Sequence, residues 1–116
     1  MTGGSGLALS PDGTQAAVSV NDGTNASVGS DIWVWTIAQG ALTRLTFTGA
    51  ATSPVWTPDG RRICYMQTGE AFCQKADGSE KALSLFMFPG LESLDSLSPD
   101  GRWIACHSNE SEPNEV

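Results

Sequence analysis

Ser10-Pro11-Asp12-Gly13 recurs as Ser98-Pro99-Asp100-Gly101, and between them stands the near copy Thr57-Pro58-Asp59-Gly60. Proline holds φ near the value that the second position of a type I turn requires. Aspartate tolerates the third position, glycine takes the left-handed conformation that follows, and a Ser or Thr hydroxyl can bond the turn backbone. A type I turn followed by a left-handed residue makes a three-residue hairpin loop, so each copy is expected to join two antiparallel strands.

The flanks agree. Gly6 to Leu9, Pro54 to Trp56 and Leu94 to Leu97 precede the turns; Gln15 to Val20, Arg62 to Met66 and Trp103 to His107 follow them. These runs are short, rich in β-formers and in places apolar on both faces, as strands between stacked sheets would be. Asp31 to Ile37 and Leu42 to Phe47, joined at Gln39-Gly40, supply third and fourth strands to the first unit. Ala71 to Lys75 and Lys81 to Phe86, joined at Asp77-Gly78-Ser79, do the same in the second. No segment carries a sustained 3.6-residue apolar period, so no helix is expected.

Ser10 and Thr57 are 47 residues apart, and Thr57 and Ser98 are 41. A period of about 40–45 residues is that of a four-stranded propeller blade. The expected fold is all-β: an incomplete β-propeller of about two and a half antiparallel blades, roughly ten strands in all. Residues 5–47 form the first blade, 52–86 the second and 92–108 a half blade, while 109–116 are a polar tail at the start of a further strand.

Composition narrows the function. The 116 residues suit one domain, and a net charge of −7 with scattered basic residues leaves no stripe for nucleic acid and disfavours an anionic membrane surface. No run is long and apolar enough to cross a bilayer. Met1 to Gly6 has neither the basic start nor the apolar stretch of a signal peptide. A cytoplasmic protein is expected if the N-terminus is genuine, a periplasmic one if the chain is part of a longer protein.

Candidate chemistry is thin. Asp12, Asp59 and Asp100 sit in equivalent turns a blade's width apart, where aspartate already has a local bonding role. Asn21 to Asn25 offers oxygens but lacks the alternating spacing and distal Glu of a calcium loop. His107, the single histidine, adjoins Cys106 on a strand, where neighbours point to opposite faces and cannot pair. No catalytic, cofactor-binding or metal residue is therefore assigned.

Trp33, Trp35, Trp56 and Trp103 are expected to pack between blades rather than to stack a sugar. A two-residue turn at Thr68-Gly69 would set Cys64 opposite Cys73, within reach of a contact or a disulfide, whereas a three-residue turn would separate them. The odd cysteine count and the missing leader favour reduced thiols.

Pro54-Val55-Trp56-Thr57-Pro58-Asp59-Gly60, Asp31-Ile32-Trp33-Val34-Trp35, Arg44-Leu45-Thr46 and Trp103-Ile104-Ala105 together resemble the WD40-like repeats of TolB-type β-propellers, over about Ser5 to Asn109. Two places depart from the pattern: Leu83-Ser84-Leu85 stands where Arg-Leu-Thr would sit, and Cys106 takes a large aromatic position. The resemblance implies part of a longer propeller with open blade faces and an unpaired strand edge, hence self-association. It also implies a non-enzymatic module that binds another protein or an adjoining domain through its end loops. The alternative it implies is the accessory or sensor propeller of a larger enzyme, a prolyl-oligopeptidase-type serine peptidase or a bacterial protein kinase.

Overall fold

The computed structural model describes residues 7–21, 30–87 and 90–108, and among these every regular element is a β-strand. The first sheet joins β1 (Leu7–Leu9), β2 (Gln15–Asn21), β3 (Ser30–Thr36) and β4 (Ala41–Arg44) in chain order. The second joins β5 (Ala51–Trp56), β6 (Arg62–Gln67), β7 (Glu70–Lys75) and β8 (Leu83–Met87), and a third pairs β9 (Leu91–Leu97) with β10 (Ile104–Ser108). All pairings are antiparallel. The start of the chain at Met1 to Gly6, residues 22–25 of the suggested calcium loop and the 109–116 tail lie outside the described residues.

The three Pro-Asp-Gly corners are superimposable in their bonding. Gly13, Gly60 and Gly101 have φ of 76°, 74° and 75°, and their N–H groups donate to Ser10 O, Thr57 O and Ser98 O at 2.8–2.9 Å. The loops hold four residues rather than the expected three. Each corner's first carbonyl is taken by the glycine, so the strand that follows bonds to the hydroxyl instead. Gln15 N donates to Ser10 Oγ at 3.1 Å, with Arg62 N on Thr57 Oγ1 and Trp103 N on Ser98 Oγ matching it. A hydroxyl at that position is thus part of the ladder.

Other turns fix the register. Thr68 and Gly69 both have positive φ, the signature of a two-residue type I′ hairpin, and Gln67 faces Glu70. Cys64 then stands opposite Cys73 and the two are joined as a disulfide, against the expectation of reduced thiols. That expectation weighed compartment and cysteine count; the hairpin register alone brings the sulfurs together. The fourth strand also ends earlier than expected, at Arg44. Leu45 N still reaches Ile32 O at 2.8 Å, but Ile32 N donates to Thr46 Oγ1 at 2.9 Å, so a side chain replaces the ladder and the chain turns away.

The sheets stack face to face. Ala17, Ile32 and Val34 of the first meet Trp56, Ile63 and Tyr65 of the second, all buried. Burying each large member of this set contributes about 1.5–3 kcal/mol. Trp56 Nε1 donates to Ala8 O at 2.7 Å and Ser30 Oγ to Ala51 O at 2.8 Å, tying β5 to the first sheet. A second cluster of Val55, Cys64, Ala71, Cys73 and Leu94 joins the second sheet to β9 and β10, with Leu97, Ile104 and Cys106 packed on it.

Candidate binding groove

Stacking aligns β1, β5 and β9, the strands that lead into the three corners, and a groove of about 550 Å³ runs across them. Its walls are mostly apolar: Leu9, Val55, Trp56 and Leu97 from the strands, and Pro11, Pro58 and Pro99 from the corners. The corners also touch one another. A β-carbon built on Gly60 would lie 3.6 Å from Pro11 Cδ, and one on Gly101 3.7 Å from Pro58 Cδ, so Pro11 and Pro58 each rest on the glycine of the next unit.

Asp95 is the ionisable residue of the groove's lining. It accepts from Ser93 Oγ at 3.1 Å through one oxygen, and its other oxygen lies 2.6 Å from His107 Nδ1. Ser98, also in the lining, already donates to Asp100 Oδ1 at 2.6 Å and accepts from Trp103 N. Its proton is committed to the corner. The groove offers an apolar channel with one carboxylate beside it, and this suits uptake of an apolar segment carrying a positive group.

The corner aspartates are placed by the same logic. Asp12 accepts from Thr14 N at 3.0 Å, Asp59 from Arg61 N at 2.9 Å and Asp100 from Arg102 N at 3.0 Å, and each also accepts from its corner hydroxyl. These bonds hold all three carboxyls below the ordinary range: the Thr14 N–H leads for Asp12, the Arg61 N–H for Asp59 and the Ser98 hydroxyl for Asp100. Among the described residues no three His, Cys, Asp or Glu side chains gather as a metal site.

Cys106 and His107 point to opposite sides of β10, Cys106 into the core cluster and His107 outward. Burial, and secondarily the charge of Asp95, push the Cys106 thiol up. The tryptophans divide. Trp56 is buried and Trp33 half-buried, but Trp35 is exposed, and Trp103 is 73% exposed and lies outside β10. Trp103 is a corner residue equivalent to Gln15 and Arg62, a position whose backbone N–H bonds the corner hydroxyl; Arg62 there pairs with Glu80, whereas the Trp103 side chain faces water.

Sequence reasoning missed Asp31. This carboxylate is buried where β3 begins, and it gathers Arg44, Thr46, Thr48 and Gly49 around it. Desolvation raises its pKa, yet the bonds from Thr46, Gly49, Arg44 and Thr48 outweigh that and leave it lowered. The signal was the Arg44-Leu45-Thr46 run, read as strand and as part of the repeat pattern but not as a partner of Asp31.

The three sheets are blades of a β-propeller whose ring these ten strands do not close. More narrowly, the fold is TolB-like. A protein assigned as TolB from Agrobacterium tumefaciens superposes with a TM-score of 0.75 at 24% identity, over 94% of this chain and 40% of that one. The acylaminoacyl peptidase of Pyrococcus horikoshii superposes with a TM-score of 0.66 at 16% identity, over 99% of this chain and 19% of that one. The chain therefore spans less than half the length of either structure. No protein-family model matches it, nor does any curated protein.

Proposed function

We propose that this chain is a non-catalytic propeller module that takes up a segment of a partner protein or an adjoining domain in the corner-end groove. One observation carries the reading: an apolar channel built from three aligned strands and three corner prolines, with Asp95 beside it. Panning a random peptide library against the chain tests it. The enriched peptides are apolar with a basic residue to meet Asp95, and Ser96→Trp, which fills the groove from an exposed position, weakens them at least about tenfold. Peptides that bind the variant as well as the parent would remove the groove from consideration.

The likeness to a peptidase chain supports a second reading, the accessory or sensor propeller of a larger enzyme, a prolyl-oligopeptidase-type serine peptidase or a protein kinase. Here too the propeller binds and does not react. The reading frame flanking the coding sequence separates the two: a hydrolase or kinase domain in frame favours the second.

A further inference from the structure

All three cysteines of the chain meet at one interface. Cys64 and Cys73 oppose each other on β6 and β7 as Ala17 and Val34 do on β2 and β3. Counted from its corner, Cys106 of β10 holds the place of Tyr65 on β6. Ala17, Val34 and Tyr65 share one buried core between the first and second sheets. One sheet further on, the same three places are filled by sulfur. The Cys64–Cys73 bridge belongs to the buried core between the second and third sheets, and Cys106 packs on that core.

Register agrees with this placement. Leu94 is the cross-strand partner of Cys106, and Leu94 is a buried member of the core that holds the bridge. Cross-strand partners share a face, so Cys106 is turned toward β6 and β7. Further strands beside β10 would widen the third sheet but leave this face where it is.

Access divides the three. Cys64 is 1% and Cys73 9% exposed, so the fold keeps a dissolved thiol from both bridge sulfurs, whereas Cys106 is free and half-buried. β10 also has room to advance. Its register with β9 shifts on both sides of the Cys106-His107 pair, where the ladder is locally broken. In immunoglobulin domains disulfides span sheets stacked about 10 Å apart, so a bond across this interface needs only a local movement of β10.

We infer that Cys106 is an internal exchange partner of the Cys64–Cys73 bridge, able to move the covalent tie from within the second sheet to between the second and third. The Cys106 thiolate attacks one bridge sulfur, the Cys64–Cys73 bond breaks and a Cys106–Cys73 or Cys106–Cys64 bond forms. The displaced thiolate takes up the proton that Cys106 released. One disulfide and one thiol stand on each side of the step, so it needs no oxidant or reductant. In its new place the disulfide includes the half-buried Cys106, and a dissolved dithiol can reduce it, itself closing to a cyclic disulfide. Burial, and then the charge of Asp95, push the Cys106 thiol up, while the core facing it from β5, β6 and β7 is apolar apart from the bridge. Exchange is therefore slow at neutral pH and quickens as pH rises.

Reduction of the native chain by dithiothreitol, arrested at intervals with a maleimide and mapped by tryptic mass spectrometry, tests this. Trypsin places Cys64 and Cys73 together in peptide 63–75 and Cys106 in peptide 103–116. Exchange joins the two peptides by a disulfide and leaves the maleimide on Cys64 or Cys73; without it the peptides separate and the maleimide sits on Cys106. The joined pair is expected during reduction of the parent. Cys106→Ser abolishes it and slows loss of the Cys64–Cys73 bridge at least about tenfold, because reduction must then wait for the fold to open. Circular dichroism verifies each fold, and Cys106→Ala carries the comparison should the serine variant be destabilised. A mixture of isotope-labelled and unlabelled chains separates internal exchange, which joins like with like, from exchange between molecules. Equal reduction rates in the parent and both variants, absence of the joined pair, or pairs combining labelled with unlabelled peptides would overturn the inference.

Discussion

Replacing Asp31 by alanine probes the most connected polar group in the fold. Asp31 Oδ1 accepts from Thr46 Oγ1 at 2.7 Å, Thr48 N at 2.8 Å and Gly49 N at 3.0 Å, and Oδ2 accepts from Arg44 at 2.8 Å. Alanine leaves a buried hydroxyl, two backbone N–H groups and a guanidinium without their acceptor. Each buried donor left unpaired costs about 1–3 kcal/mol. Water can reach the half-exposed Arg44 and part of the Thr48–Gly49 segment, so the expected loss is about 3–5 kcal/mol. With a urea slope of about 1.5 kcal/mol/M, the midpoint falls by about 2–3 M. Asparagine retains the Oδ1 acceptor but turns an amide toward Arg44, so Asp31→Asn loses about 1–2 kcal/mol and about 1 M.

Acid adds a signature to that experiment. The folded carboxyl lies below its unfolded value, so its contribution is complete above the unfolded pKa of about 4 and is lost as pH falls through the folded value. The gap between the parent and Asp31→Asn therefore narrows on acidification below about pH 4. An alanine variant within about 1 kcal/mol of the parent, or an asparagine variant as damaged as alanine at neutral pH, would refute the reasoning.

Two further outcomes are expected. The Cys64–Cys73 bridge spans a sequence separation of 9, and chain-entropy arguments give a closed loop of that size about 2.5 kcal/mol; reductant should lower the urea midpoint of the parent but not of a Cys64→Ala/Cys73→Ala variant. A β-carbon on Gly13 meets nothing within 4 Å and one on Gly60 meets only ordinary contact, so Gly13→Ala and Gly60→Ala should each cost about 1 kcal/mol from the left-handed φ alone. A Gly60→Ala loss several times that of Gly13→Ala would show that the proline contact is tighter than described.

The corners were legible because Pro-Asp-Gly restricts φ residue by residue, and from them followed the strand order and the stacking. The Cys64–Cys73 pairing was legible as geometry, since a two-residue turn at Thr68-Gly69 has only one register; its oxidation was not, because composition speaks of compartment and not of distance. Loop length was missed because the turn preference of Pro-Asp-Gly does not reveal that the Ser10 hydroxyl enters the ladder in place of its carbonyl. Asp31 was read only as the first residue of a strand motif, and its role as an acceptor appears only when residues 44–49 return to it. The exposure of Trp35 depends on whether another sheet lies over β3, and an apolar side chain reads the same in either case. The groove emerges only from three separated strands brought side by side.

The proline-on-glycine contacts recur although the corners are separated by 47 residues in one interval and 41 in the next. The difference in chain length is thus taken up elsewhere in each repeat, leaving the corners as a fixed datum. Someone grafting a foreign segment into this scaffold should leave that end alone and lengthen a connection remote from it.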